Sequence, residues 1–215
     1  MDLLSPQKEL KPRVIMPRFI VVFSKFLYFI STSLVIRFAA RLFITPFHFP
    51  VSIRESTMAK GAQKKSVFIG KINKEIHVLS YGYSKRKVLF VHGWSGRPTQ
   101  FFAFADTLLE HGFMVTSFDG PAHGKSSGKT THLIEFLITI EKINELFGPF
   151  EAAIGHSFGG ICLYNAVSDF LKIKTLVTIG TGDKISDILK QFLRNLGLKE
   201  TMHLSLQQFL EKNGK

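Results

Sequence analysis

The chain has 215 residues, 45% hydrophobic and 20% charged, enough for one medium domain or two small ones and too apolar to be disordered by composition. A single cysteine, Cys162, excludes a disulfide framework and a cysteine-rich metal site. The net charge of +12 would suit nucleic acid, but residues 1–70 hold 11 Lys/Arg against 3 Asp/Glu while residues 71–215 hold 17 against 13. The basic excess therefore belongs mostly to the first third, and no zinc-finger spacing or basic helical repeat accompanies it, so no nucleic-acid partner is expected.

Eight of the 22 phenylalanines precede residue 50. Four of them, Phe19, Phe23, Phe26 and Phe29, sit in a long apolar run, Phe19 to Ile36, flanked by Arg18, Arg37 and Arg41 and interrupted by Lys25. The run is about long enough to span a bilayer. A central Lys costs about 2.5–3.5 kcal/mol, however, and each apolar residue returns only about 0.3–0.6. Cations on both sides give no inside–outside bias, and no small-residue cleavage site follows, so a secretory signal fits poorly. A cationic hydrophobic helix over residues 17–44, lying on an anionic membrane surface, fits best. A spanning helix and a helix packed on the body are the alternatives. Residues 52–65 are polar and read as a linker or short helix.

From residue 66 the pattern changes. Ser66–Ile69 and Glu75–Tyr81 read as strands, the second alternating Ile76 and Val78. Lys87–Val91 is a short continuous apolar run, as in a strand buried on both faces. Thr99–His111 has helical spacing, and Phe113–Phe118 is a strand. Thr131–Phe147 is a helix stopped by Gly148-Pro149. Strand Ala152–Gly155, helix Phe158–Phe170, strand Lys174–Ile179 and an amphipathic helix Ile185–Leu196 follow. This alternation predicts an α/β fold with a mostly parallel, doubly wound sheet. Residues 1–65 form a basic hydrophobic segment and linker, and residues 66–215 the α/β domain.

In such sheets ligands bind beyond the carboxyl ends of the strands, and three loops lie there. Gly155-His156-Ser157-Phe158-Gly159 is a G-x-S-x-G sequence between a predicted strand and a predicted helix. The glycines leave room for a sharp turn that lifts a serine oxygen clear of the sheet, so Ser157 is the candidate nucleophile. The amide of Phe158 would face an oxyanion. The loop His92-Gly93-Trp94 would add the amide of Trp94 as second donor, with His92 a structural hydrogen-bonder. The third loop, Asp119-Gly120-Pro121-Ala122-His123-Gly124-Lys125-Ser126, imitates a phosphate loop, but only three residues separate its glycines where four are needed. Neither a metal site nor a cofactor is expected.

The ordered motifs His-Gly-Trp-Ser-Gly, Asp-Gly-Pro-Ala-His-Gly-Lys-Ser and Gly-His-Ser-Phe-Gly-Gly resemble the α/β-hydrolase family over about residues 66–182. Asp119 and His123 then belong to the family's Asp-x-Pro-Gly-His-Gly-x-Ser motif, with Ala122 replacing a glycine. His156 becomes a neighbour of the nucleophile and not its base. The resemblance implies a serine hydrolase of esterase or lipase-like type, acting on a small-molecule ester or lipid-like substrate.

The family orders its triad Ser, acid, His. After Ser157 the acids include Asp183, just past the sixth strand, and the only histidine is His203. These are the candidate acid and base. The family's later strands, which would carry both groups, have no counterpart in the pattern. The expectation is therefore an incomplete hydrolase sheet of about six strands with an N-terminal hydrophobic helix. The expected location is cytoplasmic, peripheral to the membrane or anchored at it. The competing reading is a catalytically dead protein of the same fold that binds a ligand or partner.

Overall fold

The structure, a computed structural model, describes residues 16–213. These residues form two compact units, one of residues 16–40 and 186–213, the other of residues 41–185.

The larger unit is built on a six-stranded sheet. Its strands are β1 (Gln63–Ile69), β2 (Lys74–Tyr81), β3 (Lys87–Val91), β4 (Met114–Phe118), β5 (Ala152–His156) and β6 (Thr175–Ile179). They lie in the order β1-β2-β4-β3-β5-β6. β2 is antiparallel to both neighbours, and β4, β3, β5 and β6 pair in parallel. The sheet is the mostly parallel one that the alternation predicts.

Period-two alternation sorts the core. On β3, Leu89 and Val91 join a cluster with Phe136, Ile140 and Leu163. Those partners come from helices α5 (Leu133–Phe147) and α6 (Phe158–Asp169). Val88 and Phe90 point the other way, onto Met58, Phe101 and Ala105. Those belong to α3 (Ser56–Gly61), a 3-10 turn and α4 (Phe102–Glu110). A strand apolar on both faces needs helices on both, which is why Lys87–Val91 reads as a continuous run.

The main departure in this unit is at β1, which begins at Gln63, three residues before the sequence places it. Gln63, Lys64, Lys65 and Ser66 are exposed, because β1 is an edge strand and needs no buried face.

The smaller unit contains α1 (Arg18–Ile30), most of α2 (Thr32–Phe43), α7 (Ile185–Asn195) and α8 (His203–Asn213). The single helix expected over residues 17–44 is two helices. Ser31 between them is extended, at φ −163° and ψ 130°. Ser31-Thr32-Ser33 supplies hydroxyls that compete for backbone hydrogen bonds, and hydropathy alone does not register this. Among the described residues no helix is long and apolar enough to cross a membrane, which corrects the spanning alternative.

Candidate active site

Ser157 occupies the turn from β5 into α6 with φ +50° and ψ −117°, a left-handed backbone that a non-glycine residue adopts only under constraint. The constraints are visible. Ser157 N–H donates to the carbonyl of Ile179 at 2.8 Å, which pins the turn to the end of β6. A side chain at Gly155 would lie 2.7 Å from the Gly160 backbone. One at Gly159 would overlap the carbonyls of Val91 and His92. Both glycines are thus required by close backbone approach.

The loop after β3 lies against the serine. A Cβ placed on Gly93 would stand 3.1 Å from Ser157 Cβ and 2.9 Å from His156 Nδ1. The absence of a side chain at 93 lets this loop reach the turn. Trp94 packs edge-on to Phe158, with ring centres 5.3 Å apart. Among the described residues, neither Trp94 N–H nor Phe158 N–H has a hydrogen-bond acceptor. Two unspent amides beside a serine oxygen can stabilise a developing oxyanion.

His92 and His123 tie these loops together. Gly120 N–H donates to His92 Nε2 at 2.9 Å, so the ring proton sits on Nδ1, 2.8 Å from the Gly93 carbonyl. His123 repeats the arrangement. Its Nε2 accepts from Ser95 N–H at 3.0 Å, and its Nδ1 lies 2.9 Å from the carbonyl of Pro121. Burial is the main cause that lowers His92 to about 3, with His123, His156 and Arg97 adding repulsion. Burial likewise lowers His123 to about 4. Both rings stay neutral and hold backbone, with neither nitrogen left for proton transfer.

Asp119 is buried at the end of β4 and accepts from Lys125 N–H at 3.0 Å. Desolvation raises it to about 6 against the opposing pull of the Lys125 amide and nearby cations. A side chain at Gly124 would overlap this carboxylate, which explains a glycine there at φ +48°.

Of the two remaining candidates, Asp183 belongs to the larger unit and His203 to the smaller. Asp183 is exposed and has no hydrogen bond or ion pair among the described residues. His203 belongs to the smaller unit, and its Nδ1 lies 2.9 Å from the Glu200 carbonyl of its own turn. His156 is exposed beside the serine, and its Nδ1 faces Gly93. Among the described residues no three His, Cys, Asp or Glu side chains are grouped to hold a metal.

Sequence reasoning missed the role of the segment from the end of α2 to the start of α3. Phe43 stacks on Trp94 with centres 6.4 Å apart. Phe47 N–H donates to Ser95 Oγ at 2.8 Å. Glu55 is buried against Arg97 and Thr99. One sequence signal was available. Ser52-x-x-Glu55 is a helix-start pattern, and its reciprocal bonds form, Arg54 N–H to Ser52 Oγ and Ser52 N–H to Glu55.

Residues 87–200 match the family model of the alpha/beta hydrolase fold. The chain belongs to that family, the class that its strand order and its strand–serine–helix turn define. Its solved neighbours share the fold at low identity. A thioesterase domain from the curacin biosynthetic pathway is 23% identical with a TM-score of 0.52, over 63% of this chain and 54% of that one. A carboxylesterase structure of the thaumarchaeon Nitrososphaera gargenis is 16% identical with a TM-score of 0.55, over 60% of this chain and 51% of that one. Epoxide hydrolase VrEH1 of Vigna radiata is 17% identical with a TM-score of 0.51, over 58% of this chain and 42% of that one. The alignments thus cover about half the length of the first two structures. A sequence comparison with curated proteins returns no match.

Proposed function

We propose that the protein is a serine hydrolase of esterase or lipase-like type, acting at the cytoplasmic surface of a membrane. Ser157 is its nucleophile, and the amides of Trp94 and Phe158 are its oxyanion donors. One observation carries this reading: the positive-φ serine, the Gly93 loop in contact with it, and two amides without acceptors converge at the ends of β3 and β5. The serine oxygen would add to an ester carbonyl, and the carbonyl oxygen, becoming an oxyanion, would take both N–H groups. The solved neighbours include a carboxylesterase and a thioesterase domain, which supports acyl transfer as the reaction class. Membrane association is supported by the apolar, cationic residues 17–44.

The second reading is a hydrolase-like binding or scaffold protein without turnover. It is favoured by Ser157 Oγ, which makes no hydrogen bond to an imidazole among the described residues. A fluorophosphonate probe separates the two. Labelling of wild type that vanishes in Ser157→Ala supports the hydrolase. A folded wild type that never labels supports the binder. Asp183 and His203 remain the candidate acid and base by chain order. Under that assignment Asp183→Asn and His203→Ala would each slow labelling, and unchanged rates would remove them.

A further inference from the structure

Helix α1 is apolar on its outward face. At about 100° per residue, Phe19, Val22, Phe23, Phe26, Phe29 and Ile30 fall within an arc of about 120°. All six are exposed, Phe29 to 90% and Phe19 to 74%. The inward face carries the buried Ile20 and Ser24, whose hydroxyl is spent on the Ile20 carbonyl at 2.8 Å. A surface helix ordinarily turns its polar side to water. Here four phenylalanines face it instead, in a contiguous patch of the kind that marks an interaction site.

We infer that this face of α1 docks into the headgroup region of an anionic lipid bilayer, with the helix lying along the surface. The inference rests on the membrane-surface reading above and specifies the face that makes contact. Three observations select this occupant. Between Glu9 and Glu55 the chain has no carboxylate but seven cations. Arg18, Lys25 and Arg37 are exposed, and Arg18 and Lys25 border the apolar arc, the stem of Lys25 running past Gly197. A second copy meeting this one face to face would bring like charges together with no acid on α1 or α2 to neutralise them. Anionic headgroups supply that countercharge, and the acyl boundary takes the rings. Finally, α1 has 13 residues, about 20 Å of helix against a hydrocarbon thickness of about 30 Å. A helix that short lies on a bilayer and does not cross it.

The test is co-sedimentation of the full chain with phosphatidylcholine vesicles, with and without phosphatidylserine. Wild type should bind the anionic vesicles and release as salt rises. Phe26→Glu with Phe29→Glu changes two exposed side chains, should keep the wild-type circular dichroism spectrum, and should weaken binding at least about tenfold. As a check independent of that double variant, Phe29→Trp should shift its emission to the blue on anionic vesicles. Equal binding by the double variant overturns the docking face while leaving membrane association intact. Absence of wild-type binding overturns both. A lipid-free dimer that the double variant disperses, without vesicle binding by wild type, replaces the bilayer with a second copy. Ser157 labelling without lipid should be the same in the double variant, so its absence in all samples would strike the hydrolase reading alone.

Discussion

Arg97 and Glu55 form a two-pronged ion pair, Nε to Oε2 at 2.8 Å and Nη2 to Oε1 at 3.2 Å, with side chains only 15% and 5% exposed. The same guanidinium donates to the carbonyls of Phe49 and Pro50 at 2.7 and 2.8 Å. One side chain three residues past Trp94 thus fastens the segment before α3 over the loop that carries the Trp94 amide. Burial pushes the Glu55 carboxyl up, but hydrogen bonds from Arg97, Thr99 and Ser52 outweigh it and hold the group below its ordinary value. A depressed carboxylate stabilises the fold above its unfolded value and loses that contribution as pH falls through the folded one. Arg97→Ala strands a buried anion and should cost about 3–5 kcal/mol. Glu55→Gln should cost less and should remove part of the acid sensitivity. Urea unfolding midpoints at neutral and acid pH measure both.

Ser157 holds φ +50° by compression from its surroundings. A strained residue of this kind stores about 1–3 kcal/mol, which glycine does not. Ser157→Gly should therefore be more stable than Ser157→Ala by about 1 kcal/mol, although both lose the oxygen. Thermal melts of the two variants, side by side, check the sign. Equal melting temperatures would mean that the turn is unstrained.

The sheet was legible because its middle strands are buried on both sides. Lys87–Val91 announces itself as a short apolar run whatever its partners. The serine turn was legible because Gly155 to Gly159 form a recognisable five-residue pattern between a strand and a helix, although what demands Gly159 is the distant carbonyls of Val91 and His92. What escaped was nonlocal or depended on polar detail. Glu55 and Arg97 lie 42 positions apart, and a lone Glu in a polar stretch carries no sign of a partner. The break at Ser31 interrupts a run that stays apolar on either side. The exposure of the α1 phenylalanines was equally hidden, since hydropathy counts apolar residues without saying which face is covered.

The approach of the Gly93 loop to Ser157 leaves no room for a methyl group. Gly93→Ala would place a carbon 3.1 Å from Ser157 Cβ and from the His156 carbonyl. The loop must withdraw by a few tenths of an ångström, taking the Trp94 amide with it. Fluorophosphonate labelling should slow by about 10²–10³, the range for losing one oxyanion donor. Stability should fall far less than in Gly159→Ala, where a methyl group meets two backbone carbonyls that cannot move. Labelling rates and urea midpoints on both variants separate a displaced amide from a damaged core.

The buried groups under the loops give the stability a pH dependence with opposing parts. His92 and His123, lowered to about 3 and about 4, refuse protons that the unfolded chain accepts near its ordinary value of 6.5. Their contribution is present above 6.5 and is lost as pH falls toward about 4. Asp119 works the other way. Raised from 3.8 to about 6, it keeps a proton in the fold that the unfolded chain has released. Its contribution is present below 3.8 and is lost as pH rises through about 6. Between these limits two imidazoles oppose one carboxyl, so wild-type stability should rise with pH. Asp119→Asn removes the opposing part and keeps an oxygen for the Lys125 amide, so its stability should rise more steeply. Denaturant midpoints across this window measure the slopes. An Asp119→Asn slope no steeper than wild type would return that carboxyl to its ordinary range.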